Sequence, residues 1–232
     1  MDRAEITSLS ATELATYIET KQVSPVEAVE AYLDRIEQLN PVVNAYVTVC
    51  AEEARRDARQ AEEEIQQGRY RGPLHGVPVA IKDQIHTKGI RTTDGSKLRA
   101  TFVPEEDATV MANLKKAGAI LLGKLNMSEF ALGDPVSSAS GAARNPWDLE
   151  RSPGTSSTGS GAATAAHLCA TSLGEDTGGS IRGDRRPTVG WWGCVQPGVA
   201  SAVMAWTELV GPSTPSAPSR GRWRTAPLPS AR

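Results

Sequence analysis

The chain has 232 residues, enough to bury a substantial core in one large domain or two small ones, which excludes a peptide or a disulfide-stapled miniprotein. Its formal net charge is -2, with acids and bases interspersed up to about residue 182, so there is no electrostatic case for binding nucleic acid or a membrane surface. Cys50, Cys169 and Cys194 are an odd set without metal-like spacing, and no signal-type start or apolar run of about 20 residues occurs; the expectation is a soluble protein of a reducing cytoplasm.

In chain order, Ser10-Ala-Thr-Glu13 is a capping box and predicts a helix start. Ser24-Pro25-Val26-Glu27 repeats the device with proline at the first helical position, and Val29, Leu33 and Ile36 then share a face; this helix is expected to stop before Pro41. "AEEARRDARQAEEEIQQG", residues 51–68, is rich in helix formers of both charge signs and reads as a solvent-facing helix closed by Gly68. Residues 1–70 are therefore expected to be a helical region.

From residue 71 the character changes. "GVPVAIKD" (76–83) and "AILLGK" (119–124) are strand-like runs, and between them Asp107-Ala-Thr is expected to cap a helix carrying Val110 and Leu114 and ending at Gly118. Strand, helix, strand with nearly continuous apolar strands predicts a buried sheet in an α/β fold. Glycine- and serine-rich loops flank "GAATAAHLCATSLG" (161–174), which is expected to be a tightly packed helix. After Arg182 the composition breaks: residues 183–232 hold seven of the fifteen prolines and four of the five tryptophans, with six arginines, no lysine and two acids, Asp184 and Glu208. Apart from a short apolar patch near Val203 no period survives there, and the segment is expected to be disordered.

Two loops carry the pattern of chemistry, "SPGTSSTGSGAA" (152–163) and "GEDTGGSIR" (174–182). Glycines beside a serine let consecutive backbone N–H groups converge, as an oxyanion site requires, and Ser180 after Gly178-Gly179 fits that description. A serine needs a base to become a nucleophile. His75, His86 and His167 have no acid at a telling spacing, and the GxSxG elbow is absent, which leaves lysine. Lys82 ends the otherwise apolar "VPVAI" run; it is either a strand-end lysine reaching solvent or a desolvated amine able to act as a base near neutral pH. A phosphate-loop reading has little support, because neither Gly-Lys-Ser/Thr nor GxGxxG is present.

Between about Leu74 and Arg182 the chain strings together "LHGVPVAIKD", "DATVMANLKKAGAILLGKLNMSEFALG", "ARNPWDLERSPG", "SSTGSGAATAA" and "LGEDTGGSIRG". These ordered motifs resemble the amidase signature family of amide hydrolases, and "SPVEAVEAYLDRIEQLNPVVNAYV" resembles its leading helices. The resemblance implies an α/β fold with a mixed β-sheet covered by helices, of which residues 71–182 are the N-terminal part and the C-terminal half is incomplete. It implies Lys82 as base, Ser156 as a bridging serine with a cis peptide, and Ser180 as the acylated nucleophile, 24 positions after Ser156. The oxyanion would be held by the backbone around Thr177, Gly178, Gly179 and Ser180, without metal or cofactor. The implied substrate is a small-molecule amide, with either the partner subunits of a tRNA-dependent amidotransferase or a second copy of the chain as protein partner. The loops look nearer to stand-alone amidases than to the amidotransferase A subunit, and the incomplete C-terminal half implies an impaired amidase or, as the further alternative, a catalytically dead fragment. Thr155 is a departure: it replaces the second glycine of the family's Gly-Gly-Ser-Ser, a β-branched residue strained wherever φ must be positive.

The tail carries one more signal. The family continues "GGSIRG" with a stretch like "GVVGLRPTWGRVSRHGV", whereas this chain reads "VGWWGCVQPGVASAVMAW". Tryptophan has the single codon TGG, and reading Gly-Trp-Trp-Gly-Cys from the third base of its first codon gives Val-Val-Gly-Leu. Permitted codons for the residues after Cys194 give, in that frame, Arg-Pro-Thr-Trp-Gly-Arg-Val-Ser-Arg-His-Gly-Val. The expectation is that a frameshift near Gly183 or Asp184, in the gene or in its reading, replaced the rest of the domain.

Overall fold

A computed structural model describes residues 1–132, 134, 137–154, 156–176, 179–181, 192–193 and 203–206. Its first three helices, α1 (Arg3–Ser8), α2 (Ala11–Glu19) and α3 (Pro25–Val43), each begin with a reciprocal capping box, Asp2 with Glu5, Ser10 with Glu13 and Ser24 with Glu27. The expected starts at Ser10 and Ser24 are therefore found, but α3 does not stop at Pro41. Proline in the last turn removes one backbone donor, and Asn40 binds the backbone beyond the turn: its side chain accepts from Tyr46 N at 2.7 Å and donates to Tyr46 O at 3.1 Å. The helix closes at Asn44, whose φ of 49° is left-handed. In α4 (Ala51–Gln66) the stripe Ala54, Ala58, Ala61 and Ile65 is buried where the helix packs on α3 and β3, and Glu64 beside it is buried in a pair with Arg71, so the helix is not solvent-facing all round. Gly68 follows it at a φ of +77°, as expected of a residue just past a helix end.

Among the described residues six strands form one mixed sheet: β1 (Tyr46–Val49), β2 (Pro78–Lys82), β3 (Ile120–Leu125), β4 (Thr171–Gly174), β5 (Trp192–Gly193) and β6 (Val203–Trp206), in the spatial order β1-β3-β2-β4-β6-β5. β2 runs parallel to β3 and β4, while β1 on β3, β6 on β4 and β5 on β6 are antiparallel. The expected strands at 76–83 and 119–124 are thus neighbours, joined by the crossover helix α5 (Thr109–Lys116), and every residue of both is buried. Because β2, β3 and β4 point the same way, their carboxyl ends lie along one edge of the sheet, where open α/β sheets place ligand crevices.

Three local expectations are corrected. Asp107 does not cap α5: its carboxylate accepts from Lys88 N at 2.8 Å and Lys115 Nζ at 2.7 Å, and the cap residue is Ala108. Residues 161–174 are not one helix. The helix α6 (Thr158–Ala165) ends, and His167 turns the chain at a φ of 55°, its ring 3.1 Å from Thr7 O, so that Thr171–Gly174 runs as β4 beside β2. Small residues suit both elements here, so composition did not separate them. Within 183–232, expected to lack regular structure, the apolar patch at Val203 is strand β6, which covers the open edge of β4, and Trp192–Gly193 pairs with it; the rest of that segment lies outside the described residues.

Candidate active site

Lys82 is the last residue of β2 and is completely buried. Its Nζ donates to Ser156 Oγ at 3.0 Å and lies 3.5 Å from Glu175 Oε2. Burial pulls its pKa down to about 8, because a desolvated ammonium is costly; the Glu175 carboxylate, and after it Asp176, works in the opposite direction. Of the two readings open from sequence, the solvent-reaching lysine is overturned: an amine at the end of a strand buried on both faces has nowhere to reach water.

Ser156 stands at the entrance to α6. Its Oγ donates to Ser180 Oγ at 2.6 Å, so lysine and two serines form one continuous chain of hydrogen bonds. Ser180 Oγ also accepts from Ser157 N at 2.8 Å and lies 2.6 Å from Ser157 Oγ, which itself donates to Glu175 O at 3.1 Å. Ser180 is partly exposed while Ser156 and Ser157 are buried, so the chain of hydrogen bonds runs from an enclosed base to a partly exposed residue.

Two glycines make this closeness sterically available. A Cβ on Gly159 would sit 2.3 Å from Asn126 N and 2.6 Å from Ala45 O, so only glycine lets the first turn of α6 press onto the chain leaving β3, where Gly159 N donates to Asn126 O at 2.8 Å. A Cβ on Gly174 would lie 2.9 Å from Ser157 Oγ and would push that serine off Ser180.

The Ser180 loop is gathered by Asp176. Its carboxylate accepts from Gly179 N at 2.7 Å and from Ile181 N at 3.3 Å, a compact nest that presents Ser180 between them. Of the expected oxyanion donors, Gly179 is engaged in this way, and Thr177 and Gly178 lie outside the described residues. No cis peptide bond occurs among the described residues, and Thr155, which precedes Ser156, is outside them.

Sequence reading placed Lys82, Ser156 and Ser180, and the fold brings all three together. It missed Ser157, Glu175 and Asp176. The doubled serine and the acid pair in "GEDTGG" were visible, but only the meeting of the ends of β2 and β4 shows what they touch. Among the described residues, no group of three or more His, Cys, Asp and Glu side chains could hold a metal, and no helix is long and apolar enough to cross a membrane.

Lys124 on β3 is a second completely buried lysine, also pulled down to about 8 by burial. Its Nζ donates to Ile85 O at 2.6 Å and Thr92 Oγ1 at 2.8 Å, with Asp83 Oδ1 at 3.8 Å. It touches no serine, and depressed basicity therefore does not mark a site by itself.

The chain is similar to known proteins in both sequence and fold. The chain is 50% identical over 179 residues to the A subunit of the glutamyl-tRNA(Gln) amidotransferase of Carboxydothermus hydrogenoformans, an alignment covering 77% of this chain and 37% of that protein. Its fold superposes on the peptide amidase of Stenotrophomonas maltophilia with a TM-score of 0.71 at 34% identity, covering 75% of this chain and 37% of that one, and on fatty acid amide hydrolase with a TM-score of 0.73 at 30% identity, covering 78% and 32%. The chain thus spans well under half the length of the relatives it matches. The family model described as Amidase matches residues 27–183, which take in both serine loops and the β2 lysine, and the chain belongs to the amidase family.

Proposed function

We propose that this chain carries the nucleophile, relay and base of an amide hydrolase that works through an acyl-serine intermediate. The observation that carries the reading is the unbroken line from Lys82 Nζ through Ser156 Oγ to Ser180 Oγ, at 3.0 and 2.6 Å. Neutral Lys82 takes the proton of Ser156 as Ser156 takes that of Ser180. Ser180 Oγ bonds to the amide carbonyl carbon, and the negative charge that forms on the carbonyl oxygen is met by backbone N–H groups of Thr177, Gly178, Gly179 and Ser180. Gly179 joins them by exchanging its bond to Asp176. The C–N bond then breaks, the relay returns the proton to the leaving amine, and water cleaves the acyl ester to carboxylic acid and free Ser180.

Three things support this reading: membership of the amidase family, the low basicity of Lys82, and the contrast with Lys124, which is likewise lowered to about 8 and has no hydroxyl chain to a partly exposed serine. The test is covalent labelling of the purified chain with a fluorophosphonate, mapped by mass spectrometry. Label is expected on Ser180 and lost in Ser180→Ala and Lys82→Ala. Label distributed over other serines, unchanged in those variants, overturns the reading.

A second reading is favoured by the 50% identity to an amidotransferase A subunit: the same chemistry applied to glutamine within a complex. Ammonia release from glutamine that appears only on adding the partner subunits selects it over a stand-alone amidase or a homodimer.

We further infer that the out-of-frame readout begins close to where the family match ends, at residue 183. Resequencing of the locus decides this; an in-frame "WWGC" with no family-like continuation in the alternative frame sinks it. Where the frame is shifted, a version restored to it is expected to label faster than the 232-residue chain.

A further inference from the structure

We propose that Glu175 is a positioning residue of this site: its carboxylate is the counter-ion that holds a proton on Lys82 and so sets which way the hydroxyl chain to Ser180 points. The inference rests on the acyl-serine reading above and adds to it a control on when the nucleophile is armed.

Glu175 directly follows β4 and is 7% exposed. It touches both ends of the apparatus: its carboxylate lies 3.5 Å from Lys82 Nζ, and its carbonyl accepts at 3.1 Å from Ser157 Oγ, which in turn meets Ser180 Oγ. The other groups around Lys82 are otherwise engaged. Asp176, the second carboxylate acting on Lys82, binds Gly179 N and Ile181 N. Asp83, the residue after β2, accepts from Thr93 N at 2.9 Å and has Lys124 of the neighbouring β3 at 3.8 Å; Lys124 itself is bound to Ile85 O and Thr92. Glu175 is therefore the carboxylate that closes on the amine.

The consequence follows from donor and acceptor capacity. An ammonium only donates. When Lys82 is charged it donates to Ser156, whose O–H must point on to Ser180, so that Ser180 receives a hydrogen bond and its own proton is not drawn off. When Lys82 is neutral its lone pair accepts, the order reverses, and Ser180 donates into the relay. A buried carboxylate beside Nζ stabilises the first arrangement, since an opposite charge within about 4–6 Å favours the charged form. Desolvation and Glu175 thus pull in opposite directions, and the amine settles at about 8.

The experiment follows the lysine itself. The full chain, with 13C and 15N in its lysines, is titrated by NMR as parent, Glu175→Gln and Glu175→Thr; Lys82→Met and Lys124→Met assign the two buried signals. Glutamine keeps the size of the side chain, and threonine guards against a packing failure of the first variant. The expected result is a Lys82 midpoint lower by about one pH unit in both variants, with Lys124 unmoved as the control inside the same molecule. A Lys82 midpoint that stays or rises overturns the proposal. Fluorophosphonate labelling of Ser180 against pH is run beside it, and its rise is expected to move down with the Lys82 midpoint. If Lys82 shifts while Ser180 is inert in every variant, the acyl-serine reading fails and the counter-ion assignment stands; if Ser180 is reactive and neither its profile nor the Lys82 midpoint moves, the reading stands and the assignment fails.

Discussion

Lys82 and Lys124 sit one residue out of step on neighbouring parallel strands, Ile81 opposite Lys124 and Lys82 opposite Leu125, which sends the two side chains to opposite faces of the sheet. Both are completely buried and both are pulled to about 8 by desolvation. On one face the amine meets a serine that meets another serine. On the other it meets a carbonyl, a threonine and, at 3.8 Å, a carboxylate that burial pushes toward its neutral form. On the proposed reading the same perturbation serves two ends, told apart by what each amine meets: a base requires a proton donor in line with a reacting oxygen, whereas a structural ammonium requires acceptors that will not react.

The strongest way to break this comparison is to remove each amine in turn. Lys82→Met is expected to slow Ser180 labelling by about 10²- to 10⁴-fold, the usual contribution of a general base, with the chain still folded by circular dichroism. Lys124→Met is expected to do the reverse. It takes the donor from Thr92 Oγ1 and one of two donors from Ile85 O, which keeps Thr87 Oγ1 at 3.1 Å, and it removes from buried Asp83 the cation at 3.8 Å, costing about 3 kcal/mol in chemical denaturation. Equal loss of labelling from both variants, at equal stability, erases the distinction between the two faces.

A smaller effect lies in the pH dependence of stability. Each lysine has a folded pKa of about 8 against an ordinary value of 10.5, so between those limits the unfolded chain binds more protons than the folded one. Stability must then rise with pH from about 8 to about 10.5, and the penalty for holding a buried amine is complete and constant below 8. Urea midpoints of the parent are expected to climb through that window more steeply than those of either methionine variant. Parallel curves for parent and variants show that the amines are not depressed.

How much of this was legible follows the same division between a residue and what it meets. β2 and β3 could be read because a strand buried on both faces must be apolar along its length. For the same reason Lys82 stood out at the end of one; Ser180 stood out after its paired glycines, and resemblance to a known family supplied Ser156. β4 was hidden because Thr, Ser, Leu and Gly suit the small-residue helix before it as well as a strand, and the separating turn depends on a histidine held by Thr7, 160 positions earlier. Glu175 was hidden for a related reason. Its partner lies 93 positions away, and no local spacing encodes a contact made only when two parallel strands end side by side. Pro41 misled because proline is costly in a helix interior but lies here in the last turn, three residues before the left-handed Asn44 closes the helix, while Asn40 ties the following backbone at Tyr46.

The finest test of the two faces leaves both amines in place. Thr92 Oγ1 accepts from Lys124 at 2.8 Å and donates to Ile90 O at 3.2 Å. Thr92→Val keeps the shape and deletes that acceptor, leaving Lys124 with Ile85 O, a distant Thr87 hydroxyl at 3.4 Å and Asp83. The expected cost is about 1–2 kcal/mol, the scale of one hydrogen bond to a charged group lost in a buried place. Lys124 should then titrate lower, because an ammonium with fewer acceptors is harder to keep charged. Ser180 labelling and its pH profile should not move, because the sheet lies between Thr92 and the serines and Lys82 shares no partner with Lys124. A coupled shift of the Ser180 profile means that the two faces are one electrostatic unit, with Asp83 as the natural conduit: it follows Lys82 in sequence and faces Lys124 in space.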